Sequence, residues 1–307
     1  MSLLKFPVKL LGFLPLFIIK LVAFKYVAGE TLAAARDKIK MLNEQGFVGT
    51  LDILGEASDS EEKVEAFVYE YKELIKTIAN QKIKAGISVK PTAVGLLISY
   101  EYALRQFREI VKALKDDQIF LRIDMEDSPY TDQTIKLYNE LKQEYERVGI
   151  VFQAYLKRTW TDLENIKPDG DVRLCKGIYL ESFEISFKGK DLVRQNYLKC
   201  LEYMLTNNFK IGVATHDDGL LEGAIDLLKK YHLDKQRFEF QMLYGVRTQV
   251  AKKLVGDGYK VRLYIPYGKD WYAYSMRRMY ENPNIALHVT KALFWDPVLA
   301  LFTRLKE

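Results

Sequence analysis

Tyr274, Arg277, Arg278 and Glu281 stand at i, i+3, i+4 and i+7 in the run 271–281. On a helix that spacing puts them on one face. The face then holds two fixed positive charges, a carboxylate to orient them and an aromatic plate. A guanidinium fork matches the two oxygens of a carboxylate, so an adjacent pair makes a clamp for a small organic acid. The plainer reading is a solvated helix face laced with salt bridges. The preceding run, 261–268, reads as a strand delivering the start of that helix, and strand ends are where α/β folds build their sites.

The rest of the chain supplies elements to position such a clamp. Short β-rich apolar runs alternate with longer amphipathic ones. Strands are predicted at 47–54, 86–94, 119–125, 150–156, 172–178, 210–215, 238–243 and 260–265. Helical periodicity is clearest at 61–83, 97–115, 131–148 and 183–207, with further helices from Asp270 and from Asn284. Eight alternating units form either a doubly wound sheet or a closed (β/α)8 barrel. Leu54-Gly55-Glu56-Ala57 after the first strand is not a dinucleotide fingerprint, which favours the barrel. The predicted fold is therefore α/β, a (β/α)8 TIM-type barrel with extra N- and C-terminal helices.

A barrel builds its site at the C-terminal ends of its strands. Strand two carries Lys90, strand three Asp124, strand four Gln153, and strand five Arg173, Lys176 and Tyr179. Strand six ends in Thr215 and His216, strand seven holds Gln241 and strand eight Tyr264. Each has a bland alternative: a snorkelling lysine, a capping aspartate, a core histidine or tyrosine, a glutamine satisfying backbone. Polar groups on seven consecutive strands are harder to dismiss, because buried polar groups need partners. The basic members favour an anionic cofactor and a carboxylate substrate.

Composition bounds the class. The 307 residues are 49% hydrophobic and 28% charged, an ordinary globular balance with a sizeable core. Net charge is +5, with basic and acidic residues interspersed, so no nucleic-acid surface is expected. Cys175 and Cys200 have neither metal-ligand spacing nor a disulfide framework, which suggests a reducing compartment. Residues 1–30 form an apolar arm ahead of a catalytic domain over 31–307. The run 10–24 is interrupted only by Lys20 and has Pro15 in its middle. Its uninterrupted part is short for a bilayer span and lacks a convincing cleavage site. A helix lying in a membrane interface, or docked on the body, fits it.

Taken together, these residues resemble proline dehydrogenase, in particular its short single-function bacterial type. The resemblance rests on Ser88-Val89-Lys90-Pro91-Thr92-Ala93, Ile123-Asp124-Met125-Glu126-Asp127, Gln153-Ala154-Tyr155 and Arg173-Leu174-Cys175-Lys176-Gly177-Ile178-Tyr179. Ala214-Thr215-His216-Asp217, Phe238-Glu239-Phe240-Gln241-Met242-Leu243-Tyr244-Gly245, Tyr264 and the arginine helix complete it, in order, over about residues 30–290.

The resemblance implies an FAD-dependent barrel that oxidises L-proline to Δ1-pyrroline-5-carboxylate by hydride transfer to the flavin N5. It implies that Arg277 and Arg278 hold the substrate carboxylate, with Lys90 beside them and Glu281 and Asp124 orienting the cations. Tyr264, Tyr274 and Leu243 would wall the ring, leaving little space for a hydroxyl, so proline is expected over hydroxyproline. Arg173 would sit near N5, Met125 and Gln153 against the flavin, and Lys176, Gly177 and Ile178 along the cofactor's path. Thr215, His216 and Gln241 would make further FAD contacts. No residue stands out as base for the amine proton.

Cys175 departs from the family's usual aliphatic residue and reads as a small inert hydrophobe. The resemblance leaves the aldehyde dehydrogenase step to a separate Δ1-pyrroline-5-carboxylate dehydrogenase and passes electrons to a membrane quinone. That suggests a cytoplasmic enzyme held peripherally at the inner face of the cell membrane. Three rivals remain at this point: a lyase with Lys90 or Lys176 as Schiff-base lysine, a metal held by Asp124, Glu126 and His216, and a non-catalytic barrel.

Overall fold

The β-branched and aromatic runs pair into a closed barrel of eight parallel strands. They are β1 (Val48–Ile53), β2 (Ala85–Val89), β3 (Leu121–Ile123), β4 (Val148–Gln153), β5 (Asp171–Cys175), β6 (Lys210–Ala214), β7 (Phe238–Leu243) and β8 (Val261–Tyr267). Each pairs with its sequence neighbours, and β8 closes onto β1 with Thr50 opposite Tyr264. The computed structural model describes residues 16–281.

Alternate strand residues face outward, where Leu51, Ile53, Ile87, Val89, Ile150, Val172 and Leu174 pack under the helices. The intervening helices are α2 (Leu32–Glu44), α3 (Glu61–Asn80), α4 (Tyr100–Lys115), α5 (Thr131–Glu144), α6 (Thr159–Glu164), α7 (Lys190–Thr206), α8 (Asp218–Lys230) and α9 (Thr248–Gly256). Side-chain caps begin two of them: the Thr31 hydroxyl accepts the Ala34 N–H, and Ser99 accepts that of Tyr102.

The other set of strand residues faces inward and is unusually polar for a barrel, whose centre is commonly filled by Val, Ile and Leu. Arg173 on β5 bonds to Ser88 on β2 and Gln241 on β7, neither of them a neighbouring strand. Only a path through the interior connects them.

Two further helices meet over the C-terminal mouth. α1 (Leu16–Ala23) and α10 (Trp271–Glu281) share an apolar cluster of Ile19, Val22, Ala23, Tyr26, Val27, Leu54, Trp271 and Tyr274. Phe24 meets the Trp271 ring edge-on at 5.5 Å. Leu16, Phe17 and Leu21 lie on the outer side and are exposed. Among the described residues, no helix is long and apolar enough to cross a membrane.

All eight predicted strands form, most with ends displaced by a few residues, and two of the larger shifts have a plain physical cause. The strand predicted at 86–94 stops at Val89, because Pro91 cannot donate to a ladder and opens a tight turn, Pro91–Val94. The helix predicted at 183–207 begins only at Lys190. The segment before it pairs instead with the chain after β4: Phe187 N–H donates to the Tyr155 carbonyl and Lys157 N–H to that of Ile185. Gly189, at φ 92, then turns the backbone into the helix. Residues 1–15 of the arm, the helix expected from Asn284 and the side chain of Glu281 lie outside the described residues.

Candidate active site

The inward-facing polar residues form one connected network under the mouth. Asp124, just beyond β3, accepts at Oδ1 from Arg173 Nη1 at 2.9 Å and from Ser88 Oγ at 2.5 Å. Its Oδ2 accepts from the Tyr264 hydroxyl at 3.0 Å. Arg173 Nε donates to Gln241 Oε1 at 2.5 Å, and the Arg173 guanidinium lies 5.2 Å from the Tyr264 ring centre. Lys90 Nζ donates to both oxygens of Asp52 at 3.0 Å and to the Tyr264 hydroxyl at 3.5 Å.

Both Lys90 and Asp52 are buried. Burial opposes the Lys90 charge, but Asp52, Asp124 and Glu56 outweigh it and hold the ammonium above the ordinary lysine range. Burial, with the Asp124 charge, holds the Asp52 carboxyl above its usual range against the pull of Lys90. A lysine kept protonated in this way is poorly suited to attack a carbonyl, which counts against the Schiff-base rival.

α10 brings the arginine pair to the mouth. Tyr274 is buried, and burial pushes its hydroxyl up to about 12, while the Arg278 guanidinium lies 5.2 Å from its ring centre. Arg277 donates through both terminal nitrogens to the carboxylate of Glu56, with Nη2 to Oε1 at 2.7 Å. Its Nε is buried and has no hydrogen-bond partner among the described residues.

The structure adds partners to the expected pairing. The carboxylate gripping Arg277 is Glu56, from the loop after β1, and the cation bound most closely by Asp124 is Arg173. Lys90 lies 3.9 Å from Asp124 Oδ2.

A second cationic group lines the mouth beside β5 and β6. Lys176 Nζ donates to Asp217 Oδ2 at 3.2 Å, and Arg194 from α7 clasps the same carboxylate, with Nη2 to Oδ1 at 2.9 Å. Burial works against the Asp217 charge, but Arg194 and Lys176 outweigh it and hold the carboxyl below its ordinary range. Two half-exposed cations thus meet on Asp217, and Arg194 also lies 3.6 Å from the exposed Asp191.

Gly177 sits at φ +104, and a Cβ there would lie 2.0 Å from the Tyr155 ring, so only glycine fits this turn. His216 Nε2 accepts the Leu243 N–H at 3.0 Å. Burial, helped by Arg247 and Lys176, pushes that imidazole down to about 4, so it is neutral with its proton on Nδ1. Thr215 Oγ1 accepts the Asp217 N–H at 3.1 Å. Gln153 Nε2 donates to the Glu126 carbonyl at 2.8 Å, Met125 is buried, and Ile178 is partly exposed.

Lys90, Asp124, Arg173, Gln241 and Tyr264 therefore share one hydrogen-bonded network, with Tyr274, Arg277 and Arg278 on α10 above it. Lys176, Thr215 and His216 ring the β5–β6 side, and Leu243 joins the cluster beneath α1. Asp124, Glu126 and His216 each bond elsewhere, and among the described residues no group of three or more His, Cys, Asp or Glu is placed to hold a metal. Burial pushes the Cys175 thiol up to about 11, so it is inert.

Sequence reasoning passed over Asp52, Glu56, Thr92 and Arg194. Asp52 had a signal, since Thr50 and Asp52 alternate with apolar Leu51 and Ile53 on β1. Glu56 lies on a loop and Arg194 within a surface helix, where no periodicity marks a site.

A cavity of about 590 Å3 opens at the opposite, N-terminal end of the barrel, lined by Arg122, Asp171, Glu239 and Arg262 among others. Those four are tied to one another in ion pairs, and the convergent site residues lie at the other end.

Comparison with known proteins matches this arrangement to one family. A family model described as proline dehydrogenase covers residues 35–291. Proline dehydrogenase 1 of Bacillus subtilis (strain 168) is 39% identical over 280 residues, 89% of this chain and 91% of that protein. Proline dehydrogenase of Deinococcus radiodurans is 35% identical over 279 residues, 88% of this chain and 89% of that protein. Among solved structures, proline utilization A (PutA) from Bdellovibrio bacteriovorus inactivated by N-propargylglycine superposes with a TM-score of 0.81 at 27% identity. That match covers 86% of this chain and 33% of the other.

Proposed function

The chain belongs to the proline dehydrogenase family and oxidises proline in proline catabolism; we propose that it does so with FAD, yielding Δ1-pyrroline-5-carboxylate. The donor set at the mouth suits that cofactor. Lys176 and Arg194 offer two half-exposed cations around Asp217, a match for a pyrophosphate. Gly177 lets the backbone turn closely there, and the neutral His216 and Thr215 add polar contacts without charge. Met125, Gln153, Ile178 and Gln241 would border the ring system, with Arg173 placed to favour negative charge on it. FAD would supply the acceptor for one hydride, that is, for two electrons and a proton.

The observation that carries the substrate reading is Arg277, which stands at the mouth beside a second arginine, partly exposed and with no partner for its Nε among the described residues. In this reading Arg277 and Arg278 bind the proline carboxylate, and Lys90, held charged by Asp52, adds a third cation. Tyr264 and Tyr274 stack along the ring, while Leu243 closes the apolar side. Asp124 keeps Tyr264 and Arg173 in register through its two oxygens. The clamp thereby fixes one C–H bond toward the acceptor, which is the main work required of the protein. Glu281 belongs to the same proposal as a further orienting carboxylate.

The partners proposed are a membrane quinone as final acceptor and a separate Δ1-pyrroline-5-carboxylate dehydrogenase as consumer of the product. The exposed outer face of α1, Leu16, Phe17 and Leu21, supports peripheral contact with the inner face of the cell membrane. Double replacement Phe17→Ser/Leu21→Ser should then lower binding to anionic liposomes.

The central test is a visible spectrum of the purified protein before and after L-proline, without oxygen. Flavin bands that bleach are expected. A colourless protein that takes up no added FAD would overturn the cofactor proposal, and faster turnover of hydroxyproline than of proline would overturn the substrate one.

A further inference from the structure

Four hydrogen bonds converge on Thr92, the second residue of the turn after β2. Its N–H donates to Glu126 Oε2 at 2.9 Å and its hydroxyl to Glu126 Oε1 at 2.6 Å. The same hydroxyl accepts the Ala57 N–H at 3.2 Å, and the Thr92 carbonyl accepts the Ser58 N–H at 3.0 Å. Residues 57 and 58 thus hang on Thr92, and Thr92 hangs on Glu126. Thr92 and Glu126 are each only 4% exposed, so water does not compete for these bonds.

The loop needs that support. Ala57 sits at φ 53, a left-handed conformation that crowds a residue's Cβ against its own backbone. Such strain persists where surrounding bonds over-determine it. The residue immediately before is Glu56, which grips both terminal nitrogens of Arg277. On its other side, the Glu126 carbonyl accepts the Gln153 amide. One buried carboxylate residue therefore ties together the loop that holds the arginine helix and a glutamine on the floor of the mouth.

We propose that Thr92 and Glu126 are positioning residues for proline binding: they fix the 56–58 loop so that Glu56 holds Arg277 in place over the barrel mouth. The inference rests on the reading of Arg277 as the carboxylate clamp. A threonine hydroxyl can donate to a carboxylate and accept an N–H at once. Serine keeps that ability, and isosteric valine loses it.

The test is steady-state kinetics with L-proline on the full-length enzyme, with cofactor content and Tm measured on every variant. Thr92→Val should raise KM about 5- to 20-fold while kcat changes less than about twofold, as for one or two lost hydrogen bonds. Thr92→Ser should restore KM to within about twofold. Glu126→Gln, which can accept only one of the two Thr92 bonds, should raise KM about 2- to 5-fold and serves if the valine variant fails to fold. In a Glu56→Gln background, Thr92→Val should add no further rise, because the loop then has nothing to position. Multiplying effects in that double variant would overturn the proposal. So would an unchanged KM in Thr92→Val alongside a raised KM in Arg277→Met, which leaves the clamp standing. An unchanged KM in Arg277→Met would remove the clamp and this proposal with it.

Discussion

The two ends of the barrel carry similar charged groups and use them differently. At the N-terminal end, Arg122 pairs with Asp171 at 2.5 Å and donates to two backbone carbonyls. Glu239 pairs with Arg262 and, at 2.9 Å, with Lys260. Burial opposes the Glu239 charge, but those cations outweigh it and hold the carboxyl far below its ordinary range. Gly149 clears the space, since a Cβ there would lie 2.4 Å from Arg122 Nη1. At the C-terminal mouth the cations are more accessible. Lys176, Arg194 and Arg277 are each roughly two-fifths exposed, whereas Arg122 and Arg262 are mostly buried. Buried ion pairs close a structure, whereas partly exposed cations around a mouth can reach an anionic ligand.

Breaking the buried end should cost stability and little else. Asp171→Ala leaves Arg122 buried without its carboxylate, so a loss of about 3–5 kcal/mol in denaturant unfolding is expected. KM for proline in the folded fraction should hold, and a large KM change with intact stability would erase the contrast between the ends.

The mouth contains its own buried carboxylate without an ion pair, and it sharpens the comparison through pH. Burial pushes Glu126 up to about 7 from an ordinary 4.5. The folded state therefore keeps a proton that the unfolded state releases, and stability falls as pH rises through that window. Glu126→Gln lacks this loss. Relative to the native protein it should gain on the order of 3 kcal/mol between pH 4.5 and 7.5, read by urea unfolding at both values. A difference independent of pH would refute the assignment.

Arg277→Met should reverse the first pattern, lowering kcat/KM for proline about 30- to 200-fold, the equivalent of a lost charged contact, with Tm nearly unchanged. Smallest is the effect at the half-exposed cation pair. Arg194→Ala should weaken FAD binding about 3- to 10-fold in a titration, more at low salt than at high, because solvent screens such charges. Equal affinity at both salt concentrations would argue against a phosphate contact.

Much of the framework was readable before any coordinates. The eight strands were legible because parallel strands buried on both faces are short apolar runs, set between helices of clear 3.6-residue period. The helix expected at 183–207 failed in its first part, because Ile185 and Phe187 find backbone partners in Lys157 and Tyr155, about thirty residues earlier. Lys90, Asp124, Arg173, Gln241 and Tyr264 stood out as polar residues where apolar ones are usual. Asp52 stood in the same alternation and was passed over. Glu56 and Arg194 carried no local mark, and Thr92 lay inside the Ser88–Ala93 motif without a role of its own.

What the sequence determined by itself was the order of elements and the kind of chemistry: residue types and periods are local properties, and they pointed to a barrel with cations at its strand ends. Which carboxylate meets which cation was decided only by barrel closure. Asp52 and Lys90, Asp124 and Arg173, and Glu56 and Arg277 are separated by 38, 49 and 221 residues. Charge complementarity alone permits many pairings among these groups. The strand register and the docking of α10 over the mouth select one set, because an ion pair forms only where the backbone brings both partners within a few ångströms.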